Sequence, residues 1–406
     1  MWAVSDCNRG RARSIHFAKG DRGVKKQLSN IFLAVAALCL LAVPAVQAGT
    51  IKVGAIFAVT GPASFLGGPE ARTARMVVDE INRKGGINGD MIELIVKDSG
   101  ASPEKAISFA KQLIEEEKVL AIIGPSTSGE SMKIKKIAEQ GRTPLISCGA
   151  AEVIVNPVAR YVFKTPQKDS FAVRKIYGEM QKMGISKIAV VAGNTGFGKA
   201  GKGQLIKIAP EYGIEIVAAE TYDKKATDLS ALVAKLMANK NIQAVVNWSI
   251  VPAQAIIAKN MRQAGWNVPL FQSHGFGNIK YVQAAGAAAE GIIFPAGRLL
   301  VAESLPDSDP QKALLLKYKK DYESRYHEAA STFGGHAYDA MTILAAAIGK
   351  GGNDRDKVRD AIEGLKDFPG TGGVFSFSPE DHNGLDISSF VMLEVKDGKF
   401  VLYHGK

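Results

Sequence analysis

Cysteine is scarce, with three in 406 residues. Cys7 and Cys39 fall in an N-terminal stretch with the marks of a removable leader, which leaves Cys148 alone. One thiol makes no internal disulfide, so hydrophobic cores must hold the fold even in an oxidising compartment. Cys148 itself reads as a buried, inert side chain. Long apolar runs are missing too. The run at 31–43 has thirteen residues, short of the ~20 that a membrane-spanning helix needs, and no second run of that length follows. The chain also lacks a dinucleotide fingerprint, a nucleophile elbow and a metal-spaced ligand set, which argues against an enzyme and against any cofactor or metal. Gly193-Asn194-Thr195-Gly196-Phe197-Gly198 has the wrong glycine spacing for a nucleotide loop. Basic residues interleaved with aromatics are absent, which argues against nucleic acid.

The net charge of +11 is partly a property of the leader. Residues 1–48 hold seven Lys or Arg and two acids, so 44 of the 51 basic and 38 of the 40 acidic residues lie from Gly49 onward, a net of +6. Lys25 and Lys26, the apolar run and the small-residue site Val46-Gln47-Ala48 describe a secretory signal peptide. Leu38 before Cys39 argues against a lipoprotein. Residues 1–23 are unusual for a leader, and translation is expected to begin near Val24. The body, 46% hydrophobic and 22% charged, is globular in composition and long enough for two ordinary domains.

From Gly49 onward, short β-branched runs at 51–57, 91–97, 119–123 and 144–147 alternate with helical patterns at 69–84, 103–117 and 132–140. The rhythm repeats with strands at 187–192, 214–220, 242–248 and 270–272, and helices at 171–183, 199–211, 228–238 and 252–264. Apolar rather than alternating strands indicate sheets covered on both faces, and strand–helix alternation indicates parallel sheets with right-handed crossovers. The pattern predicts an α/β protein with two doubly wound lobes. Joints are expected at 163–169, 294–300 and 375–384, giving a first lobe of 49–165 plus 299–376 and a second of 166–298 plus 377–406. The C-terminal part adds helices at 311–327, 336–348 and 354–365 and strands at 374–377, 389–395 and 400–403. Ligands of such sheets bind beyond the carboxyl ends of the strands, here in the interlobe cleft.

The most informative stretch is Gly124-Pro125-Ser126-Thr127-Ser128-Gly129-Glu130-Ser131, between an apolar strand and a helix. A small-residue turn exposes N–H groups and hydroxyls at a positive helix N-terminus, a place to hold a carboxylate without chemistry on it. His336 reads as a capping or packing residue, Asp381-His382 as a solvated turn, and Trp248 as either core or cleft.

Thr60-Gly61-Pro62, Ile81-Asn82 with Gly85-Gly86-Ile87-Asn88-Gly89, Ile123-Gly124-Pro125 with Ser128-Gly129, Gly196-Phe197-Gly198 and Ala337-Tyr338-Asp339-Ala340 together resemble the leucine- and branched-chain-amino-acid-binding proteins, periplasmic receptors of ATP-driven importers. The resemblance spans the chain after the leader. It implies a bilobed type I periplasmic binding fold with a multi-strand hinge, a periplasmic location, a small-molecule ligand bearing a carboxylate, a membrane permease of the ABC importer type as partner, and a monomer. Position by position, it aligns Ser128, with Gly129, to the grip on the ligand's carboxylate, Gly149 to a backbone carbonyl contact, and Ala151 to a threonine contact of which only the N–H remains. Phe197 falls near an aromatic cover, and Leu66 with Phe65 near a lining tyrosine. A tyrosine expected near Ile250 is absent. His274 stands where the amino-acid binders carry the acid that pairs with the ligand's ammonium. An ammonium buried without an anion costs several kcal/mol, so a pocket of Phe65, Leu66, Phe197, Trp248, Ile250 and His274 suits an aromatic or apolar acid better than leucine. The alternative is a ligand sensor of the same fold in signalling; the leader argues against a cytoplasmic one, and the lack of a later membrane span against a receptor ectodomain.

Overall fold

The computed structural model describes Ser14 and residues 49–405; the expected leader, its start codon and Cys39 lie outside the described residues. Five parallel strands, β1 (Thr50–Phe57), β2 (Met91–Asp98), β3 (Ala121–Ile123), β4 (Leu145–Ser147) and β5 (Val162–Lys164), form a sheet of order β2-β1-β3-β4-β5. Its apolar runs follow from burial on both faces. Ala55, Phe57, Ile123, Ile146 and Phe163 enter one core while Ile56, Ile122, Leu145 and Val162 enter another.

The second sheet contains β6 (Lys187–Gly193), β7 (Glu215–Tyr222), β8 (Ala244–Trp248), β9 (Leu270–Gln272) and β10 (Ile293–Ala296). After a two-residue ribbon, β11 (Phe368–Pro369) with β12 (Val374–Phe375), the chain adds β13 (Val391–Lys396) and β14 (Lys399–Leu402) to it. The order is β14-β13-β10-β9-β8-β6-β7, parallel except where β13 meets β10 and β14.

Helices cover both sheets: α1 (Ser64–Arg83), α2 (Pro103–Lys111), α3 (Ser128–Gln140), α4 (Asp169–Lys182), α5 (Gly196–Ile208), α6 (Ser230–Ala238), α7 (Ala253–Gln263), α8 (Ile279–Ala285), α9 (Lys312–Tyr326), α10 (Thr332–Gly351) and α11 (Arg355–Glu363). Among the described residues, no helix is long and apolar enough to cross a membrane.

Four differences from the sequence reading matter for the cleft. The strands β5 and β10 overlap the starts of the extended segments expected as joints, 163–169 and 294–300; three and four residues are too few to show a period. Helix α1 begins at Ser64 rather than Pro69, which sits inside it. Proline has no N–H for the carbonyl four residues back, and the freed Phe65 carbonyl accepts a 2.9 Å bond from Asn278 Nδ2 of the other lobe. The third passage between lobes comes later than 375–384, because Phe377 and Leu385 pack in the first lobe's core and Phe390 in the second's. Asp381-His382 is not a solvated turn. His382 is fully buried and stacked on Phe163 at 4.1 Å, and it bonds the Val162 carbonyl and Glu363. Asp381 pairs with Lys168 at 2.8 Å, and Asn383 Nδ2 donates to the Lys164 and Pro166 carbonyls. The turn ties the hinge segments to one another.

Candidate functional site

A small cavity lies where the carboxyl ends of both sheets face each other. The first lobe contributes Leu66 from α1, Ser126 and Ser128 after β3, Cys148 and Ala150 after β4, and Phe333 and His336 from α10; Pro166 comes from the hinge. The second lobe contributes Phe197 from α5, Ile250 after β8, and His274 and Gly275 after β9. Phe197 and Ile250 also border an outer chamber that includes Pro62, Gly129, Thr195 and Lys224.

Ser128 is the first residue of α3, four residues before the helix expected from periodicity. Thr127 caps the helix, its hydroxyl accepting from the Glu130 N–H at 3.3 Å, while the other first-turn N–H groups have no intrahelical acceptor. Ser128 Oγ accepts from the Ala151 N–H at 3.0 Å, leaving its own proton for an acceptor in the cavity. The Ala151 N–H thus serves Ser128 and is not free for a ligand. Gly149 lies against the same turn: a Cβ there would fall 2.9 Å from the Ser128 nitrogen.

The opposite wall is aromatic. The His274 ring meets Phe197 edge-on at 5.2 Å and Trp248 at 5.5 Å, with Phe390 at 5.4 Å. Trp248 is fully buried behind this layer and does not border the cavity. Phe65 lies at the rim, edge-on to Tyr281 at 5.3 Å with the Lys280 ammonium 5.8 Å from its ring centre. The cavity therefore gathers Ser128, Leu66, Phe197, Ile250 and His274. Gly149 and Ala151 support the Ser128 turn, Gly129 borders the outer chamber, and Phe65 and Trp248 stand outside the inner wall.

Several residues around the cavity have no local sequence signal. Lys164, fully buried, donates to the Ala150, Pro166 and Gln167 carbonyls at 3.0, 2.6 and 3.0 Å. Three acceptors match the three donors of an ammonium. Asp169 is fully buried near it, with Oδ1 3.7 Å from His274 Nε2. Burial raises the Asp169 carboxyl toward about 7 and lowers Lys164 toward about 7, and their mutual attraction opposes both shifts; the bonding of Nζ assigns the pair as charged. Burial, reinforced by Lys164, holds His274 well below the ordinary imidazole range and His336 at about 3. Both imidazoles are neutral at pH 7. Burial pushes Glu70 up to about 8, so this acid behind Ser126 is also largely uncharged. Burial, with Glu70 and Asp339 nearby, raises the Cys148 thiol, in keeping with an inert side chain.

The lobes touch across the cleft. A Cβ on Gly196, which opens α5, would lie 2.7 Å from Gly129 Cα and 2.8 Å from its nitrogen. The positive N-terminal ends of α3 and α5 thus meet backbone to backbone, an arrangement that an anion between them would favour. At the rim, Glu328 pairs with Arg72 in the first lobe and with Lys280 in the second, the latter at 3.2 Å. Among the described residues, no group of three or more His, Cys, Asp or Glu is placed to hold a metal.

This architecture and cleft have known counterparts. The profile of a family described as periplasmic binding protein matches residues 50–399. A leucine-, isoleucine-, valine-, threonine- and alanine-binding protein of Pseudomonas aeruginosa is 26% identical over 83% of this chain and 88% of its own. An extracellular ligand-binding receptor from Rhodopseudomonas palustris HaA2 superposes with a TM-score of 0.82 at 28% identity, covering 88% of this chain and all of that one. The branched-chain amino acid transporter substrate-binding protein LivJ of Streptococcus pneumoniae, solved with isoleucine, gives 0.77 at 30% identity over 86% of this chain and 97% of its own. With two parallel α/β lobes, a cavity at their facing strand ends and these relatives, the chain belongs to the periplasmic binding protein family, in the branch of the Leu/Ile/Val-binding proteins.

Proposed function

We propose that the protein is the solute receptor of an ATP-driven importer in the periplasm. It takes a small apolar carboxylate that lacks an α-ammonium and presents its closed form to a membrane permease. One observation carries the choice of ligand: the cavity wall has a hydroxyl at a helix N-terminus for a carboxylate, but the same cavity is lined by two imidazoles, one from each lobe, held neutral by burial and by Lys164. The same burial and the same positive charge that disfavour an imidazolium there disfavour a ligand ammonium. Asp169 is close, but Lys164 already balances it. Leu66, Phe197, Ile250 and Phe333 supply apolar contact for the rest of the solute. The ligand bridges both lobes and so stabilises closure, since it contacts the second lobe fully only when the cleft is shut.

Ser128→Ala tests the anchor. It removes one hydrogen bond to a charged group and is expected to weaken a carboxylate ligand by about 1–3 kcal/mol. Calorimetry with the best ligand from a thermal-shift panel of carboxylates reads this directly, because ligands of the native state raise its melting temperature. Unchanged affinity in the variant would remove Ser128 from the site.

A further inference from the structure

We propose that His274 and His336 form a subsite, one residue from each lobe, for a ligand hydroxyl, which makes the solute a hydroxy acid; this rests on the carboxylate reading above. His274 follows β9 in the second lobe and His336 lies in the second turn of α10 in the first, and both line the cavity that Ser128 lines. They are 7% and 6% exposed. Both ring nitrogens of His274 and Nδ1 of His336 have no hydrogen-bond partner. Buried polar atoms are nearly always paired, so unpaired nitrogens from two lobes at one cavity point to a group brought by the ligand.

The chemistry of that group follows from donor and acceptor counting. A neutral imidazole offers one donor and one acceptor. Asp169 Oδ1, itself unpartnered, faces His274 Nε2 at 3.7 Å and favours the proton on that nitrogen. His274 Nδ1 is then an acceptor, and His336 can turn its donor toward the same space. A hydroxyl both donates and accepts, so it satisfies the two rings together. A carbonyl or second carboxylate only accepts and leaves His274 Nδ1 unmatched; an ammonium could donate to both rings, but burial and the Lys164 charge disfavour it here. Because the rings belong to different lobes, these two bonds exist together only in the closed form.

Calorimetry on the purified protein with two matched pairs tests the subsite: 4-methylpentanoate against 2-hydroxy-4-methylpentanoate, and benzoate against 4-hydroxybenzoate. The hydroxylated member of at least one pair is expected to bind about tenfold tighter. His336→Phe, which preserves an aromatic ring there, is expected to erase that gain, so that within the variant the hydroxylated and parent acids of a pair bind within about threefold of each other. Equal affinities within both pairs would overturn the subsite and leave the carboxylate receptor standing. So would a hydroxyl gain that survives in both His336→Phe and His274→Phe. If no member of either pair binds, the carboxylate reading fails and the subsite falls with it.

Discussion

Gly196→Val is expected to block ligand-driven closure while leaving the ligand-free protein as stable as the parent. Gly196 begins α5 after the Thr195 cap, without a left-handed backbone angle that would demand glycine. What demands glycine is the other lobe. Even a Cβ would sit 2.7 Å from Gly129 Cα, and that atom belongs to the backbone of α3, which cannot turn aside as a side chain would. Overpacking of this kind costs about 1–3 kcal/mol, and in the proposed closure cycle it falls on the closed form alone. Ligand affinity should therefore drop by about five- to 150-fold. Small-angle scattering should show a ligand-dependent contraction in the parent and none in the variant at the same ligand concentration. A variant that contracts normally and keeps its affinity would show that the two glycines do not set the closed distance.

Lys164→Met is expected to be the most damaging single change near the site. It strands three buried carbonyls and removes the positive charge that opposes the upward shift of the buried Asp169 carboxyl. Removing one partner of a buried pair costs about 3–5 kcal/mol, which at this chain length corresponds to a fall in melting temperature on the order of 5–10 °C. The double variant Lys164→Met with Asp169→Asn should recover part of that loss, because it removes the buried carboxyl as well. The change should also reach the ligand. Without the Lys164 charge, discrimination against an ammonium should weaken, so leucine should gain relative to its deaminated analogue. A Lys164→Met protein with the parent's melting temperature, or a double variant no more stable than the single one, would contradict the charged-pair assignment.

The sequence made the layered α/β plan legible because strands covered on both faces show as continuous apolar runs, and β1 and β6 are long enough to show it. Ser128 was legible as well, since a Ser/Thr/Gly turn between a strand and a helix has a local physical meaning. Other features depend on the fold bringing distant segments together. Lys164 looked like part of a joint, Asp169 like the end of one, and His336 like a helix-opening residue; only the meeting of β5, α4 and α10 at the hinge makes them neighbours of His274. Asp381-His382 carries two polar residues that read as exposed, yet His382 is buried because Phe163, from another lobe segment, offers a ring to stack on. Pro69 read as a helix start, since proline is favoured in a first turn, but the turn before it forms as well, with its free carbonyl taken by Asn278. The resemblance set His274 where the amino-acid binders carry an acid. The second buried imidazole lining the same cavity, His336, had no such signal.

The central claim is that this cleft binds a carboxylate without an ammonium. It is tested most directly by isothermal titration calorimetry of leucine against 4-methylpentanoate, the same carbon skeleton without the amino group. Binding of 4-methylpentanoate at least about 100-fold tighter than leucine is the predicted result, from the several kcal/mol cost of an unpaired buried ammonium. Leucine binding as tightly as 4-methylpentanoate, or more tightly, would contradict it.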